Sequence, residues 1–302
     1  MLATLAAIFV HVILPVAIIV AMGFVAARTL QIDQRSLARL GLYVLVPCMV
    51  FAGMAKSSVS AQELGQIFAF VVLSVVLLWP ISSLAARALG LRGSEVNAFH
   101  LGTLLTNGAN VGFPVLTLAW GAPALERGLI YAVAFQAIFQ TVGVYLAAGG
   151  HLTPRDAVKR VLEVPGIYAM ILGLVVNWAQ ISVPDFLFDP IKLVGDSLVP
   201  MLLVLLGMQL TEVRFHGYMK TAVVAAVIRL GVSAVLAVGI AGLLGLTGVT
   251  RQAMIAEASM PSAIIGLILA QEFNCHPRLV TAIISVTTVA CLLTLTVVLS
   301  LL

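Results

Sequence analysis

Charge is what this chain has least of. Asp, Glu, Lys and Arg make up only 9% of its 302 residues, whereas 62% are hydrophobic. Such poverty excludes an ordinary soluble domain, in which about a quarter of residues are charged. Nucleic-acid binding is excluded too, because the 16 basic residues are dispersed through short loops with no dense patch. Cysteine is scarce. Cys48, Cys275 and Cys291 show no Cys-x-x-Cys pairing, so neither a disulfide framework nor a zinc site is expected. Cys48 and Cys291 fall in apolar stretches, where a small buried thiol is ordinary. Walker-type phosphate loops, metal-ligand clusters and elbow-mounted nucleophiles are missing as well. No enzyme activity, cofactor or metal is therefore expected, and ATP-driven pumping by this chain alone is excluded.

What is present is one apolar run after another, each long enough to cross a hydrocarbon core about 30 Å thick. The runs far exceed the ~10 residues of a barrel strand. The fold class is thus all-α, a polytopic membrane protein. Ten spans are expected, at Leu5–Ala27, Ser36–Ala55, Leu64–Leu84, Asn97–Trp120, Ala124–Ala148, Val164–Ala179, Ile191–Leu210, Thr221–Leu244, Arg251–Gln271 and Leu279–Leu302. The first is too long for a signal-peptide core, and no Lys or Arg precedes it. A hydrophilic connector, Gly149–Glu163, separates the fifth from the sixth.

Loop charge orients the spans. Eleven basic residues fall in the odd-numbered loops: Arg28, Arg35, Arg39, Arg87, Arg92, Arg155, Lys159, Arg160, Arg214, Lys220 and Arg278. Only four, Lys56, Arg127, Lys192 and Arg251, fall in the even-numbered ones. The odd loops are therefore expected in the cytoplasm and both termini outside. The two halves also share landmarks. Pro15 and Gly23 match Pro165 and Gly173 at an offset of 150; Pro47 and Gly53-Met54 match Pro200 and Gly207-Met208 at 153; Pro114 matches Pro261 at 147. Residues 1–148 and 164–302 then read as two five-helix repeats, joined by the short cytoplasmic connector 149–163. Five is odd, so the second repeat enters the membrane the other way up. Inverted repeats with matching interrupted helices are a secondary-transporter signature, and the interruptions point to the site.

The first interruption is Thr106–Pro114, Thr-Asn-Gly-Ala-Asn-Val-Gly-Phe-Pro. Pro114 removes a backbone donor, and freed backbone groups inside a membrane are tolerated only where protein buries them or a wet cavity takes them up. The plainer alternative is a kinked helix whose Gly108-x-x-x-Gly112 packs against a neighbour. The second interruption is Glu257-Ala-Ser-Met-Pro261. Asn110 and Glu257 each lie four residues before their proline, so repeat symmetry would face them across a pseudo-two-fold axis. Intramembrane carboxylates are rare and usually functional; Glu257 is a candidate for proton or cation coupling. Asn107 and Asn110 share one helical face. Their amides, with the positive end of the half-helix after Pro114, suit a small organic anion. Arg229, inside the eighth span, could reach substrate or Glu257, or snorkel to the cytoplasmic face. Gln136 and Gln140 could line the same cavity or join helices. Thr281, Ser285, Thr287 and Thr288 are expected to bond their own backbone.

Asn107–Pro114 resembles the Asn/Gly/Pro signature in the fourth helix of the auxin efflux carrier family. Glu257–Pro277, ending Ala270-Gln271-Glu272-Phe273-Asn274-Cys275-His276-Pro277, resembles that family's ninth helix and its tail. Leu193–Met208 is similar to its seventh. The resemblance implies ten helices with both ends outside. It implies a scaffold of helices one, two, six and seven, and a transport domain whose fourth and ninth helices cross at Pro114 and Pro261. It also implies a substrate carboxylate beside that crossover. The asparagine role carries onto Asn110 and Asn107, with Gly112, Pro114, Ser259 and Pro261 completing the substrate site. Two features depart from the family: Glu257 stands where plant carriers have a neutral glutamine, and their long cytosolic loop is reduced here to Gly149–Glu163.

The expected protein is a secondary transporter of a small auxin-like or dicarboxylate-like anion, working by elevator-type alternating access in a bacterial inner membrane. Its expected partners are the carboxylate substrate and the lipid bilayer, with H⁺ or Na⁺ as candidate coupling ions and a homodimer as a candidate assembly. The alternatives are a Na⁺- or H⁺-coupled carrier of another substrate, with the crossed-helix architecture shared by bile-acid-type symporters and cation–proton antiporters, and a membrane sensor or interaction protein built on a carrier fold.

Overall fold

The computed structural model describes residues 10, 12, 14–30, 32–150, 153–211 and 217–302. The start of the first span and Arg214 lie outside the described residues. Every regular element among them is helical. In chain order these are α1 (Leu14–Thr29), α2 (Gln34–Ala55), α3 (Ala61–Ala88), α4 (Ser94–Leu104), α5 (Phe113–Trp120), α6 (Ala122–Ala147), α7 (Pro154–Leu162), α8 (Pro165–Trp178), α9 (Asp185–Leu210), α10 (Met219–Leu243), α11 (Gly248–Ala258), α12 (Ile265–Glu272) and α13 (Pro277–Leu301). Six of them, α2, α3, α6, α9, α10 and α13, are long and apolar enough to cross a membrane; α7 with α8, bent by 61°, would make a seventh. The protein is a polytopic membrane protein.

Local chemistry sets the helix ends. The Asp33 carboxylate accepts from the N–H groups of Arg35 and Ser36 and so opens α2. Its bonds to the Ser36 hydroxyl and the Arg35 N–H hold that carboxyl below its usual range. Ser60 caps α3 by accepting from the Glu63 N–H. Gly121, at φ +74°, makes the sharp turn from α5 into α6, a conformation that costs residues with a Cβ. Pro47 lies inside α2, directly after a π-helical turn at Gly41–Leu45, the widened geometry that accommodates a missing backbone donor.

The connector Gly149–Glu163 differs from expectation: it contains α7. Thr153 accepts from the Asp156 N–H, and Pro154 begins the helix, where its missing N–H costs nothing. A hydrophilic run had hidden an amphipathic helix that lies at a steep angle to α8.

Among the described residues three pairs of helices approach at backbone distance: α1 with α9, α8 with α2, and α9 with α2, where a Cβ on Gly195 would sit 2.7 Å from the Met49 Cα. A Cβ on Gly23 of α1 would overlap the Val204 carbonyl of α9, and one on Gly207 of α9 would overlap the Val20 carbonyl of α1. A Cβ on Gly173 of α8 would lie 2.9 Å from the Phe51 carbonyl of α2. Small residues at such crossings let apolar helices interlock without lipid between them.

Candidate functional site

Two links between helices, one from α4 to α5 and one from α11 to α12, meet. α4 stops at Leu104, and Leu105 turns extended. α11 stops at Ala258. The two unwound segments then run antiparallel and pair as one bridge between Thr106 and Ser262. The Asn107 N–H donates to the Pro261 carbonyl at 2.8 Å, and the Ala263 N–H donates to the Leu105 carbonyl at 2.9 Å. The bridge thereby pairs backbone groups that the helices released, as a buried setting demands.

Two hydroxyls add to the bridge in reciprocal fashion. Thr106 Oγ1 donates to the Glu257 carbonyl in the last turn of α11, at 3.1 Å. Ser262 Oγ donates to the Gly102 carbonyl in the last turn of α4. Each link thus caps the helix that leads into the other.

Arg229 completes both ends. It sits in a π-helical turn of α10, Val227–Val232, and is 3% exposed. One guanidinium nitrogen donates to the carbonyls of Thr103 at 3.2 Å and Leu104 at 3.5 Å. The other donates to Ser233 Oγ and to the Ala258 carbonyl. A cation therefore stands at the negative ends of two half-helices at once. Snorkelling to the surface is corrected by this burial, and the reach toward Glu257 is not made. Behind Arg229 a polar trail continues from Thr103 to Ser82 at 2.6 Å, and from Ser82 to His100 at 2.8 Å.

Glu257 is wholly buried in the last turn of α11, and neither carboxyl oxygen has a hydrogen-bond partner among the described residues. Three glycines surround it. Their missing Cβ atoms leave the space it fills: one on Gly112 would sit 2.6 Å from both carboxyl oxygens, one on Gly128 of α6 would sit 3.1 Å from Oε1, and one on Gly108 would overlap Oε2. The Gly108-x-x-x-Gly112 pattern does make room for a neighbour, and that neighbour is a carboxyl group. Among the described residues no hydrogen bond joins Asn110 to Glu257, and glycines line the carboxyl.

Asn107 is buried, and its Nδ2 has no partner. Asn110 is half-buried on the π-helical turn Gly108–Gly112, which continues into α5; α9 packs against this turn. Ser259 is buried with its hydroxyl tied to the Ile255 carbonyl at 2.7 Å, so it is satisfied by its own helix. Pro114 and Pro261 play unlike parts, which corrects their pairing. Pro114 stands in the first turn of α5, directly after the π-helical turn Gly108–Gly112; Pro261 lies in the extended link itself. At the bridge the spacing between the halves is 156 residues, from Thr106 to Ser262, not 147. Gln136 and Gln140 are half-buried on α6, and neither side chain makes a hydrogen bond among the described residues.

Other polar groups lie away from the two links. Arg127, counted in the sequence as a loop charge, is buried at the start of α6. It pairs with Glu63 at 2.9 Å and Glu126 at 3.0 Å and donates to Thr250. Arg127, Glu63 and Thr250 line a cavity of about 450 Å³ between α3, α6 and the start of α11. Asn177 donates to the Ala55 and Ser57 carbonyls and so closes the end of α2. On α13, Thr281 and Thr287 bond their own helix as expected, but Ser285 and Thr288 find no partner.

Long apolar helices, two paired links and a buried polar crossover together describe a membrane transport protein. The family model with that description, "Membrane transport protein", matches residues 8–149 and 151–299. The chain belongs to this family, that of the auxin efflux carriers, which is a family of transporters and not of enzymes. It is 25% identical to an uncharacterized transporter of Methanothermobacter thermautotrophicus over 94% of this chain and 95% of that one. It is 22% identical to an uncharacterized transporter of Methanocaldococcus jannaschii over 83% and 84%. Auxin efflux carrier component 6 of Arabidopsis thaliana is 30% identical across 40% of this chain, a stretch that makes up 22% of the plant protein.

Proposed function

We propose that this chain is a secondary transporter of a small organic anion, an auxin-like or dicarboxylate-like carboxylate, that moves its cargo by elevator-type alternating access. The substrate carboxylate binds at the crossover, held by Asn107 and Asn110 and by the free N–H groups of the turn that leads into α5. The observation that carries this reading is Asn107, whose side-chain amide is buried at the meeting of the two links without an acceptor. Buried polar groups are otherwise almost always paired, and a carboxylate would pair this one.

The wider architecture proposed is ten spans in two inverted five-helix repeats. The scaffold comprises α1, α2, α8 and α9, and the moving body comprises α3 to α6 and α10 to α13. Two of the tight crossings support it. Gly23 meets Val204 and Gly173 meets Phe51; 23 and 173 differ by 150, and 51 and 204 by 153, the offsets that the proline landmarks carry. The charge bias supports cytoplasmic odd loops and outward termini in a bacterial cell membrane. Asn110→Ala is expected to abolish uptake of the carboxylate in proteoliposomes while the protein still purifies as a monodisperse species. Wild-type uptake by that variant would remove Asn110 from the site.

A coupled carrier is a second reading, favoured by Glu257 alone. A carboxyl group with no donor on either oxygen is completed by a proton or a cation. Glu257→Gln is expected to flatten the pH or ion dependence of transport while changing apparent substrate affinity less than about threefold, a shift under 1 kcal/mol. An unaltered pH and ion profile would make Glu257 a packing residue.

A further inference from the structure

A second polar spot lies away from the asparagines, where α9 meets α12 and α13. Here a cavity of about 30 Å³ is lined by Gln209 of α9, by Ile264 and Leu267 at the start of α12, and by Ser285 and Thr288 of α13. Three of its lining oxygens, Gln209 Oε1, Ser285 Oγ and Thr288 Oγ1, are buried and without hydrogen-bond partners among the described residues. Ser285 is 1% exposed and Thr288 7%. Hydroxyls on a helix ordinarily fall back on their own i−4 carbonyl, as Thr281 and Thr287 do on this same helix. Ser285 and Thr288 forgo that option and face the cavity.

The sign of the site follows from its other wall. The N–H groups of Ile264 and Ile265 have no backbone acceptor, whereas those of Gly266 and Leu267 already bond to Ala263 and Ile264. They form the positive end of an eight-residue helix, the arrangement that draws anions. Among the described residues no carboxylate lines the cavity. Each hydroxyl can donate by rotation, and the Gln209 amide can present its NH₂, since O and N are interchangeable in assignment. The volume matches a single water-sized occupant, whose share of liquid volume is about 30 Å³.

We infer that this cavity is a small-anion site in which Ser285, Thr288 and Gln209 donate to one ion beneath the first turn of α12. The anion comes either from the medium as a halide or from the transported acid as a carboxylate end. The carboxylate source rests on the transport reading above; the halide source does not, so the two fail separately.

The test is the thermal unfolding midpoint of the purified full chain in gluconate buffer, titrated with sodium chloride, sodium bromide, N-methylglucamine chloride, sodium acetate and sodium succinate. A midpoint that rises with chloride and bromide whatever the cation supports the site. Ser285→Ala/Thr288→Val should weaken that response about tenfold or more, because two donors to an ion are lost. Thr296→Val, whose hydroxyl is spent on Leu292 outside the cavity, should keep it. A matching response to acetate or succinate that competes with bromide assigns the substrate as the source; a halide-only response assigns the free ion. Should the double variant fail to fold, Gln209→Leu on the opposite wall must lower bromide affinity. The inference is overturned by no anion response in the wild type, by an equal response in the variants, or by a response that follows sodium instead of the anion.

Discussion

The two breaks at the crossover look like counterparts and are built from different chemistry. The first, from Leu105 to Gly112, is made of amides and glycines: Asn107, Asn110, Gly108 and Gly112. It supplies donors and empty space and carries no charge. The second, from Ser259 to Ile264, follows a buried carboxyl and contains a proline, two hydroxyls and no glycine. It supplies the Glu257 side chain that fills the space left by the first. The halves therefore fit as a lock of unlike parts. Their backbones pair symmetrically through Thr106 and Ser262, while their side chains divide the work between donor surface and carboxyl. An interrupted helix marks where a site is; its composition indicates which part of the site it holds.

Removing what the breaks share should hurt most. Arg229 serves both half-helix ends, so Arg229→Met should leave the carbonyls of Thr103 and Leu104 buried and unpaired and the Ala258 carbonyl with Ser233 Oγ alone. The expected cost is about 3–5 kcal/mol, seen as a collapse in monodisperse yield and in the apparent Tm, with partial recovery in Arg229→Lys. A variant of normal stability would show that water can replace the guanidinium.

The complementarity of the unlike parts is tested next. Gly112→Ala drives a methyl group into the Glu257 carboxyl and should cost about 1–3 kcal/mol. Combining it with Glu257→Ala should recover much of that cost, because the clashing partner has gone; an additive double-mutant cycle would mean that the two residues do not share the space. The smallest effect sharpens the backbone symmetry. Thr106→Val and Ser262→Ala each remove one reciprocal cap and should each lower stability by about 1 kcal/mol. A marked inequality in denaturant midpoints would mean that one break alone carries the joint.

Much of this was legible in the sequence, for physical reasons. Asn, Gly and Pro inside an apolar span have no greasy purpose, so Thr106–Pro114 stood out, and Glu257 was bound to be buried six residues inside its span. The paired landmarks at 150 and 153 reappear as backbone contacts at Gly23 and Gly173. Proline was the unreliable guide. It can start a half-helix, as Pro114 does, or sit in an extended link, as Pro261 does, and its letter does not distinguish them. Hydroxyls share this ambiguity: Thr281 and Thr288 occupy one helix, yet only the first turns back to its own backbone. Arg127 was misread because a basic residue next to a turn resembles a loop charge until its partners Glu63 and Glu126 are placed beside it.

The joint between Thr106 and Ser262 also constrains how the chain is made. Synthesis completes α4 more than a hundred and fifty residues before Ser262 exists. Until α10 and Ser262 have emerged, the Gly102, Thr103 and Leu104 carbonyls lack the side chains that will satisfy them, and a bilayer interior offers no substitute. The first half must wait in a hydrated or sheltered place, and α4 can settle at full depth only when the last third of the protein arrives. The crossover is thus a checkpoint in biogenesis: a chain cut short before Ser262 has helices enough to enter the membrane and nothing to close them.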